Sequence, residues 1–179
     1  MKTLQRSSER AFTLIELMTV VVIVGVLATL GLVAYRRFIT SSKTSEAIYM
    51  VGAIRAAEES YRAETLMYLP VSAGFSEFYP TGSVGAKKTA WDNPTHSDYA
   101  RWRELGARPD GPVYYGYKVT AGGAGATIPA LDCQSPTWPT PTEPWYIVEA
   151  KGDVDGNSVF SWAAGSSFSG EIYVENEGE

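Results

Sequence analysis

The feature that most constrains this chain is a long stretch without charge near its N-terminus. No charged side chain occurs from Leu17 to Tyr35, and Glu16 stands immediately before the stretch. At about 1.5 Å rise per residue, a helix of about 20 apolar residues crosses the hydrocarbon core of a bilayer. The stretch therefore predicts a membrane-spanning helix. The whole chain of 179 residues has room for one ordinary domain in addition to that helix.

The segment before the apolar stretch has the features of a leader and not those of a secretory signal peptide. A signal peptide places its apolar region ahead of the small residues of the cleavage site. Here the polar, basic residues 1–10 come first, and the apolar stretch lies beyond Ala11. Positively charged flanks tend to stay in the cytoplasm. The sequence therefore predicts a cytoplasmic leader and an outward-facing C-terminal part.

The residues that follow the leader, Phe12-Thr-Leu-Ile-Glu-Leu-Met18, resemble the processing motif of type IV prepilins and of the related pseudopilins. The resemblance covers the leader and about the first third of the chain. It implies cleavage between Ala11 and Phe12 by a membrane prepilin peptidase, methylation of the new amine of Phe12, and assembly by inner-membrane machinery. The family usually has Gly where this chain has Ala11. Pilins often have Pro where this chain has Val33, so a straighter helix is expected.

Glu16 is the predicted assembly residue, because an ionisable group in a membrane helix costs a few kcal/mol and usually marks function. The resemblance implies that its carboxylate neutralises the N-terminal amine of Phe12 in an adjacent subunit. A local role is the alternative, since Thr13 and Glu16 have the spacing of a capping box and Phe12 and Leu17 that of a hydrophobic staple. Capping alone is worth about 1 kcal/mol. The two roles are compatible with each other.

Beyond the apolar stretch the helix is predicted to continue as an amphipathic helix. Apolar residues recur at spacings of three and four, which is the pattern of a helix with one buried face. The predicted helix extends from about Thr13 to about Thr65, nearly 80 Å at the usual rise. The predicted apolar stripe is Ala47, Met50, Val51, Ile54, Ala57 and Tyr61, and the predicted charged face is Lys43, Glu46, Arg55, Glu58, Glu59 and Arg62.

The remainder of the chain predicts an antiparallel sheet with one short helix. The helix is expected from Ser97 to Leu105, because Gly106 would stop it. Alternating side chains predict a half-buried first strand over Val113 to Val119. Further strands are expected over Trp145–Ala150, Ser158–Ala163 and Glu171–Glu175, and loops over 70–95 and 121–144.

These elements give a predicted α+β fold of the pilin kind. A long N-terminal helix with a hydrophobic first half packs on the sheet of a C-terminal head. The predicted organisation is a leader at 1–11, a transmembrane or filament-core helix half at 12–35, an amphipathic helix half at 36–66, and a globular head at 67–179.

One loop of the head resembles the start of a calcium-binding loop. Asp153, Asp155 and Asn157 stand two residues apart, as the first ligands of such loops do. The match is partial, because Ser158 stands where an EF-hand has Gly and Ala164 where it has the bidentate Glu. A plain Asp/Gly/Asn turn is the alternative. Apart from this calcium, no cofactor is predicted.

Other function classes find little support in the composition. The net charge is −5, and residues 1–11 carry +2, so the remainder carries −7 and disfavours nucleic-acid binding. One cysteine and one histidine, Cys133 and His96, are too few for a zinc cluster. No nucleophile, base and orienting group recur at a known spacing, so no enzyme is predicted. The five tryptophans suggest core and loop packing more than a carbohydrate-binding platform.

The resemblance therefore implies a structural subunit, a major or minor pilin, of a type IV pilus-like filament that serves motility, adhesion or DNA uptake. The alternative is a pseudopilin of a type II secretion system. The expected partners are copies of the chain, other pilins, the peptidase, the assembly machinery and, before assembly, the membrane. The expected location is a single-pass position in the inner membrane, followed by an extracellular pilus or a periplasmic pseudopilus.

Overall fold

A computed structural model describes residues 12–72, 77–133 and 136–178. Its helices are α1 (Leu14–Thr65) and α2 (Tyr99–Leu105), and its strands are β1 (Gly116–Gly122), β2 (Trp145–Gly152), β3 (Ser161–Ser166) and β4 (Tyr173–Glu175). The predicted α+β architecture is confirmed, with one long N-terminal helix and a C-terminal antiparallel sheet. The predicted leader, including Ala11 of the cleavage site, lies outside the described residues.

The chain divides into two compact units, Met1–Phe38 and Ile39–Glu179. In the first unit, the described residues from Leu14 onward form the first part of α1, and its large apolar side chains are exposed on every face. Among the described helices, α1 alone is long and apolar enough to cross a membrane, by length and composition.

In the second unit, the rest of α1 buries one stripe of side chains against the sheet. Ala47, Met50, Val51 and Ile54 are at most 1% exposed and belong to the same core as the inner side chains of the strands. The helix lies close to strand β3, because a Cβ built on Gly165 would come within 2.7 Å of Val51 Cγ1. Glycine at this position therefore permits the helix and the sheet to approach each other.

The sheet has the strand order β1-β2-β3-β4, and every neighbouring pair is antiparallel. Its register places Lys118 opposite Glu149 on one face and Val119 opposite Val148 on the other. Successive side chains of a strand point to opposite faces. Val119 and Val148 belong to the core that also contains the helix stripe, so Lys118 and Glu149 lie on the outer face.

The prediction of a half-buried first strand over 113–119 is wrong. Strand β1 begins only at Gly116, and Val113 forms an isolated bridge with Thr89. The outer face of the strand is also buried, since Lys118 is 1% exposed. The loop predicted over 121–144 packs on this face, where the backbone amides of Asp132 and Cys133 each donate to Glu149 Oε1 at 2.8 Å.

The predicted charged face of the amphipathic helix is wrong at one position. Glu58 is 0% exposed, because it follows Ile54 by one turn and Val51 by two and therefore lies on the buried stripe. Its Oε2 accepts the backbone N–H of Leu69 at 2.9 Å, whereas its Oε1 has no hydrogen-bond partner among the described residues. Burial raises the pKa of Glu58 to about 7.

Several other element boundaries differ from the prediction, since β2 ends at Gly152 instead of Ala150, β3 at Ser166 instead of Ala163, and β4 begins at Tyr173 instead of Glu171. Strand β3 begins at Ser161 instead of Ser158, because Gly156 and Ser158 both have positive φ and continue the preceding turn. Helix α2 begins at Tyr99 instead of Ser97 and ends at Leu105 as predicted. Gly106 caps it, with a φ of 78° in the left-handed region and its N–H donating to the Trp102 carbonyl. Such a C-terminal glycine is a common helix stop.

Candidate functional site

The predicted assembly residue, Glu16, lies in the first turn of α1 and forms a complete capping box with Thr13. Glu16 Oε2 accepts the backbone N–H of Thr13 at 2.9 Å and the Thr13 hydroxyl at 2.7 Å. In return, the backbone N–H of Glu16 donates to Thr13 Oγ1 at 3.3 Å. The capping box predicted from the sequence as a local role for Glu16 is therefore formed. It fixes where α1 begins.

The cap uses only part of the carboxylate. Both hydrogen bonds go to Oε2, and within the described residues Glu16 Oε1 accepts none. The whole side chain is exposed, and the adjacent Phe12 is 82% exposed. A cation placed beside Oε1 would therefore not have to displace the capping hydrogen bonds.

The surface that follows Glu16 is apolar all round the helix. A helix of this kind is buried in its final state, in lipid or against protein. A Cβ built on Gly25 or Gly31 would meet nothing within 4 Å. Since nothing near these glycines within the chain requires them, they leave places where another helix can approach closely.

A capping carboxylate, a membrane-length apolar helix and an antiparallel sheet in the C-terminal unit together define a pilin-like protein. The family model described as the prokaryotic N-terminal methylation motif matches residues 6–32. This segment includes Ala11, Phe12 and Glu16, the residues singled out from the sequence. Over these residues the chain carries the N-terminal methylation motif, and the proteins that it is similar to bear type IV pilin and fimbrial names. The type IV pilin family is a structural family and not an enzymatic one.

Three similar proteins carry pilin or fimbrial names. A fimbrial protein of Moraxella nonliquefaciens is 36% identical over 94 residues, which are 51% of this chain and 61% of that protein. The type IV major pilin protein PilA of Myxococcus xanthus (strain DK1622) is 32% identical over 112 residues, 63% of this chain and 37% of the relative. A probable minor fimbrial protein of Dichelobacter nodosus is 46% identical over 48 residues, 27% of this chain and 30% of the relative.

The matches cover only part of these relatives. The chain spans 37% of the length of the Myxococcus protein and 37% of that of the fimbrial protein EcpC of Eikenella corrodens. No solved structure matches the chain.

The predicted calcium ligands lie in one turn, where they bond to the backbone of that turn. The two carboxylate oxygens of Asp153 accept the N–H groups of Gly156 and Ser158 at 2.8 and 3.2 Å. Asp155 accepts both the backbone and the side-chain N–H of Asn157, at 3.1 and 2.9 Å. These bonds use part of the acceptor capacity of the two carboxylates. Calcium binding here stays a prediction, and equilibrium dialysis at millimolar calcium tests it.

The sequence reasoning missed a buried charged cluster on the outer face of the sheet. Lys118 Nζ lies 2.8 Å from Glu149 Oε2 and 2.5 Å from Asp132 Oδ2. The alternation predicted over Val113 to Val119 puts Lys118 on the side opposite the core, and it assigns no role to Glu149 or Asp132. One signal was present, because a lysine and a glutamate occupy two strands that the pattern predicts to pair.

Three of the five tryptophans are buried, which favours core packing over an exposed platform. Trp91, Trp102 and Trp145 are 7%, 1% and 1% exposed. The first two join Tyr79 in an aromatic cluster, with ring centroids 4.9 to 5.4 Å apart. Trp138 and Trp162 are half-buried. Cys133 is also buried, with Sγ 3.5 Å from a carboxylate oxygen of Glu175.

Proposed function

We propose that this chain is a structural subunit, a major or minor pilin, of a type IV pilus-like filament. The observation that carries the proposal is the first part of α1, which is apolar on every face and exposed in the described chain. An apolar surface of this length in water requires a partner. In the membrane, lipid covers the surface. In a filament, the same part of neighbouring subunits covers it.

The proposed sequence of events begins at the leader. A prepilin peptidase cuts between Ala11 and Phe12, and the new amine of Phe12 is methylated. The subunit waits as a single-pass protein of the inner membrane, with its C-terminal part outward. The assembly machinery then moves it into a filament of copies of the chain and other pilins. The methylation motif at residues 6–32 supports this order.

Glu16 sets the stagger between neighbouring helices during assembly. A carboxylate at membrane depth costs a few kcal/mol unless it finds a partner. The freed amine of Phe12 in a neighbouring subunit is a positive charge at the same depth, so the two groups neutralise each other when the helices are correctly staggered. Glu16 Oε1, which accepts no hydrogen bond within the described residues, is the oxygen available for this contact.

Two variants separate assembly from capping. Glu16→Gln keeps an oxygen for the cap and removes the charge, whereas Thr13→Ala removes the cap's hydroxyl and keeps the carboxylate. We expect Glu16→Gln to lower the yield of sheared filaments by a factor of about ten or more, since a membrane-buried ion pair is lost. Thr13→Ala should cost about 1 kcal/mol of helix stability and little filament. The amount of subunit in the membrane fraction should not fall in either variant.

The opposite pattern would argue for a purely local role. If Glu16→Gln assembles normally, or if Thr13→Ala and Glu16→Gln lose filament equally, the intermolecular pair is not what Glu16 provides. The membrane fraction serves as the control, because a subunit that fails to insert cannot report on assembly.

We further propose that the filament functions in motility, adhesion or DNA uptake. The reported relatives bear pilin and fimbrial names, and they give the alternative of a type II secretion pseudopilin no support. Shearing the cell surface and identifying the released subunit distinguishes the two. A pilin is recovered in the sheared fraction, whereas a pseudopilin stays in the envelope.

A further inference from the structure

The outer face of the sheet holds a lysine and two carboxylates in direct contact. Lys118 on β1 and Glu149 on β2 are opposite one another in the register, and Asp132 reaches the same place from the 121–144 loop. Lys118 Nζ is 2.5 Å from Asp132 Oδ2 and 2.8 Å from Glu149 Oε2. The cluster therefore places the Lys118 amine between a buried carboxylate, Glu149, and a partly exposed one, Asp132.

The amine and one of the two acids are buried. The side chains of Lys118 and Glu149 are each 1% exposed, and the Phe78 ring lies over Lys118 Nζ at 4.9 Å from its centroid. Removing an ammonium ion from water has a large cost in free energy. A reaction that turns the Lys118 amine into a neutral amide would remove this buried positive charge.

Asp132, the second acid in contact with the amine, is more exposed than Glu149. The side chain of Asp132 is 43% exposed, so a water molecule released from its carboxyl group has a path to solvent. The backbone of this residue is held by Glu149, whose Oε1 accepts the N–H groups of Asp132 and Cys133 at 2.8 Å. Holding two reacting groups together in this way corresponds to a very high local concentration.

From this geometry we propose that Lys118 and Asp132 form an intramolecular amide bond, with Glu149 as the residue that transfers the protons. Glu149 accepts a proton from the Lys118 ammonium and passes it to the carboxylate of Asp132, and the neutral amine attacks Cγ of Asp132. Glu149 then transfers a second proton from the attacking nitrogen to the departing hydroxyl group, which leaves as water. One N–C bond forms and one C–O bond breaks. An ammonium and a carboxylate become an amide and one water, so no oxidant or other reactant is needed.

The bond would fasten the covering loop to strand β1. It closes a ring from residue 118 to residue 132 and holds the loop on the outer face. A covalent closure restricts the unfolded chain, as a disulfide does. The only cysteine, Cys133, cannot provide such a closure within one chain, and the proposed amide would provide it without a second thiol.

The mass of the chain, extracted from membranes in detergent, tests the proposal. We expect the chain to be lighter by the mass of one water than the mass calculated from the N-terminus that its N-terminal peptide shows, with any methyl group included. Trypsin should fail to cut after Lys118 and should release one peptide from Glu104 to Lys151 that lacks one water. Fragmentation of this peptide should give no ions from breaks between residues 118 and 132, because both ends of that segment are joined. The sequence mass together with ordinary cleavage after Lys118 would overturn the proposal.

Three variants and one control identify the residues. Lys118→Arg, Asp132→Ala and Glu149→Gln should all have their full sequence masses, whereas Lys151→Arg, a change at a neighbouring lysine of the same sheet, should still lack one water. If Lys118→Arg also lacks one water, the loss arises from another dehydration and the proposal is wrong. If Glu149→Gln lacks it, Glu149 does not transfer the protons. Circular dichroism of each variant shows whether it is folded, and the unmodified chain gives the deciding result in any case.

Discussion

The two parts of helix α1 have the same backbone geometry and opposite surroundings. In the unit that ends at Phe38, apolar side chains cover every face and stay exposed, whereas from Ile39 onward one apolar stripe is buried against the sheet and the other side is polar. The second part is thus explained by contacts within its own unit. The first part has no such explanation within the described chain, and in the proposed function lipid and neighbouring subunits cover it.

The largest expected effect comes from placing the same charge in each part. Val51→Asp puts an unpaired carboxylate in the core and should destabilise the second unit by about 3 to 5 kcal/mol. Val24→Asp changes a side chain that is 57% exposed. It should leave the melting temperature of the second unit unchanged while abolishing filaments. Thermal melts in detergent and the yield of sheared filaments measure the two effects. Equal melting temperatures for the two variants would contradict the comparison.

A smaller effect is expected at the charged residue of the buried stripe. Burial raises the pKa of Glu58 to about 7 from 4.5, so the folded state binds this proton more tightly than the unfolded state. The unit should therefore be most stable below about pH 4.5 with respect to this group, and should lose up to about 3 kcal/mol as the pH rises to about 7. Denaturant unfolding across this pH range measures the change.

Glu58→Gln should remove most of that pH dependence and increase the free energy of unfolding at pH 8. Glu64→Gln, on an exposed position of the same helix, is the matched control and should behave like the unmodified chain. If Glu58→Gln retains the full pH dependence, another group is responsible for it.

The smallest effects concern two glycines that differ in what lies beside them. Gly165→Ala would bring its Cβ within 2.7 Å of Val51 Cγ1 and 2.9 Å of Arg55 Cδ, so the helix and the sheet must separate, at about 1 to 3 kcal/mol. Gly52→Ala lies within α1 with nothing within 4 Å of the new Cβ. It should stabilise the helix by about 0.5 to 1 kcal/mol. Changes of the same sign in both variants would contradict the packing described for the sheet.

The sequence was informative where local rules decide the structure. The apolar stretch, the amphipathic stripe and the capping box of Thr13 and Glu16 depend on spacing along one helix, and the structure confirms all three. Strand β2 was expected at Trp145 and begins there. The resemblance to prepilins rested on the same N-terminal residues that the methylation-motif model matches.

The errors occur where contacts distant in sequence decide the outcome. The helical spacing puts Glu58 on the buried stripe, and only its charge assigned it to the exposed face; the Leu69 N–H that its carboxylate accepts, from beyond the end of the helix, could not be predicted. The burial of Lys118 depends on a loop that returns over the sheet with Asp132. Alternation along a single strand carries no information about such a covering loop, so the burial of Lys118 and its contact with Asp132 could not be predicted.

The mass of the subunit in sheared surface filaments tests the central claim most directly. In the proposed filament, copies of the apolar helix replace lipid, and the Phe12 amine that cleavage frees pairs with Glu16 of a neighbouring subunit. The assembled chain must therefore begin at Phe12 with a methylated amine. We therefore expect the N-terminal peptide of the filament subunit to start at methylated Phe12. An assembled subunit that still begins at Met1 would contradict the account.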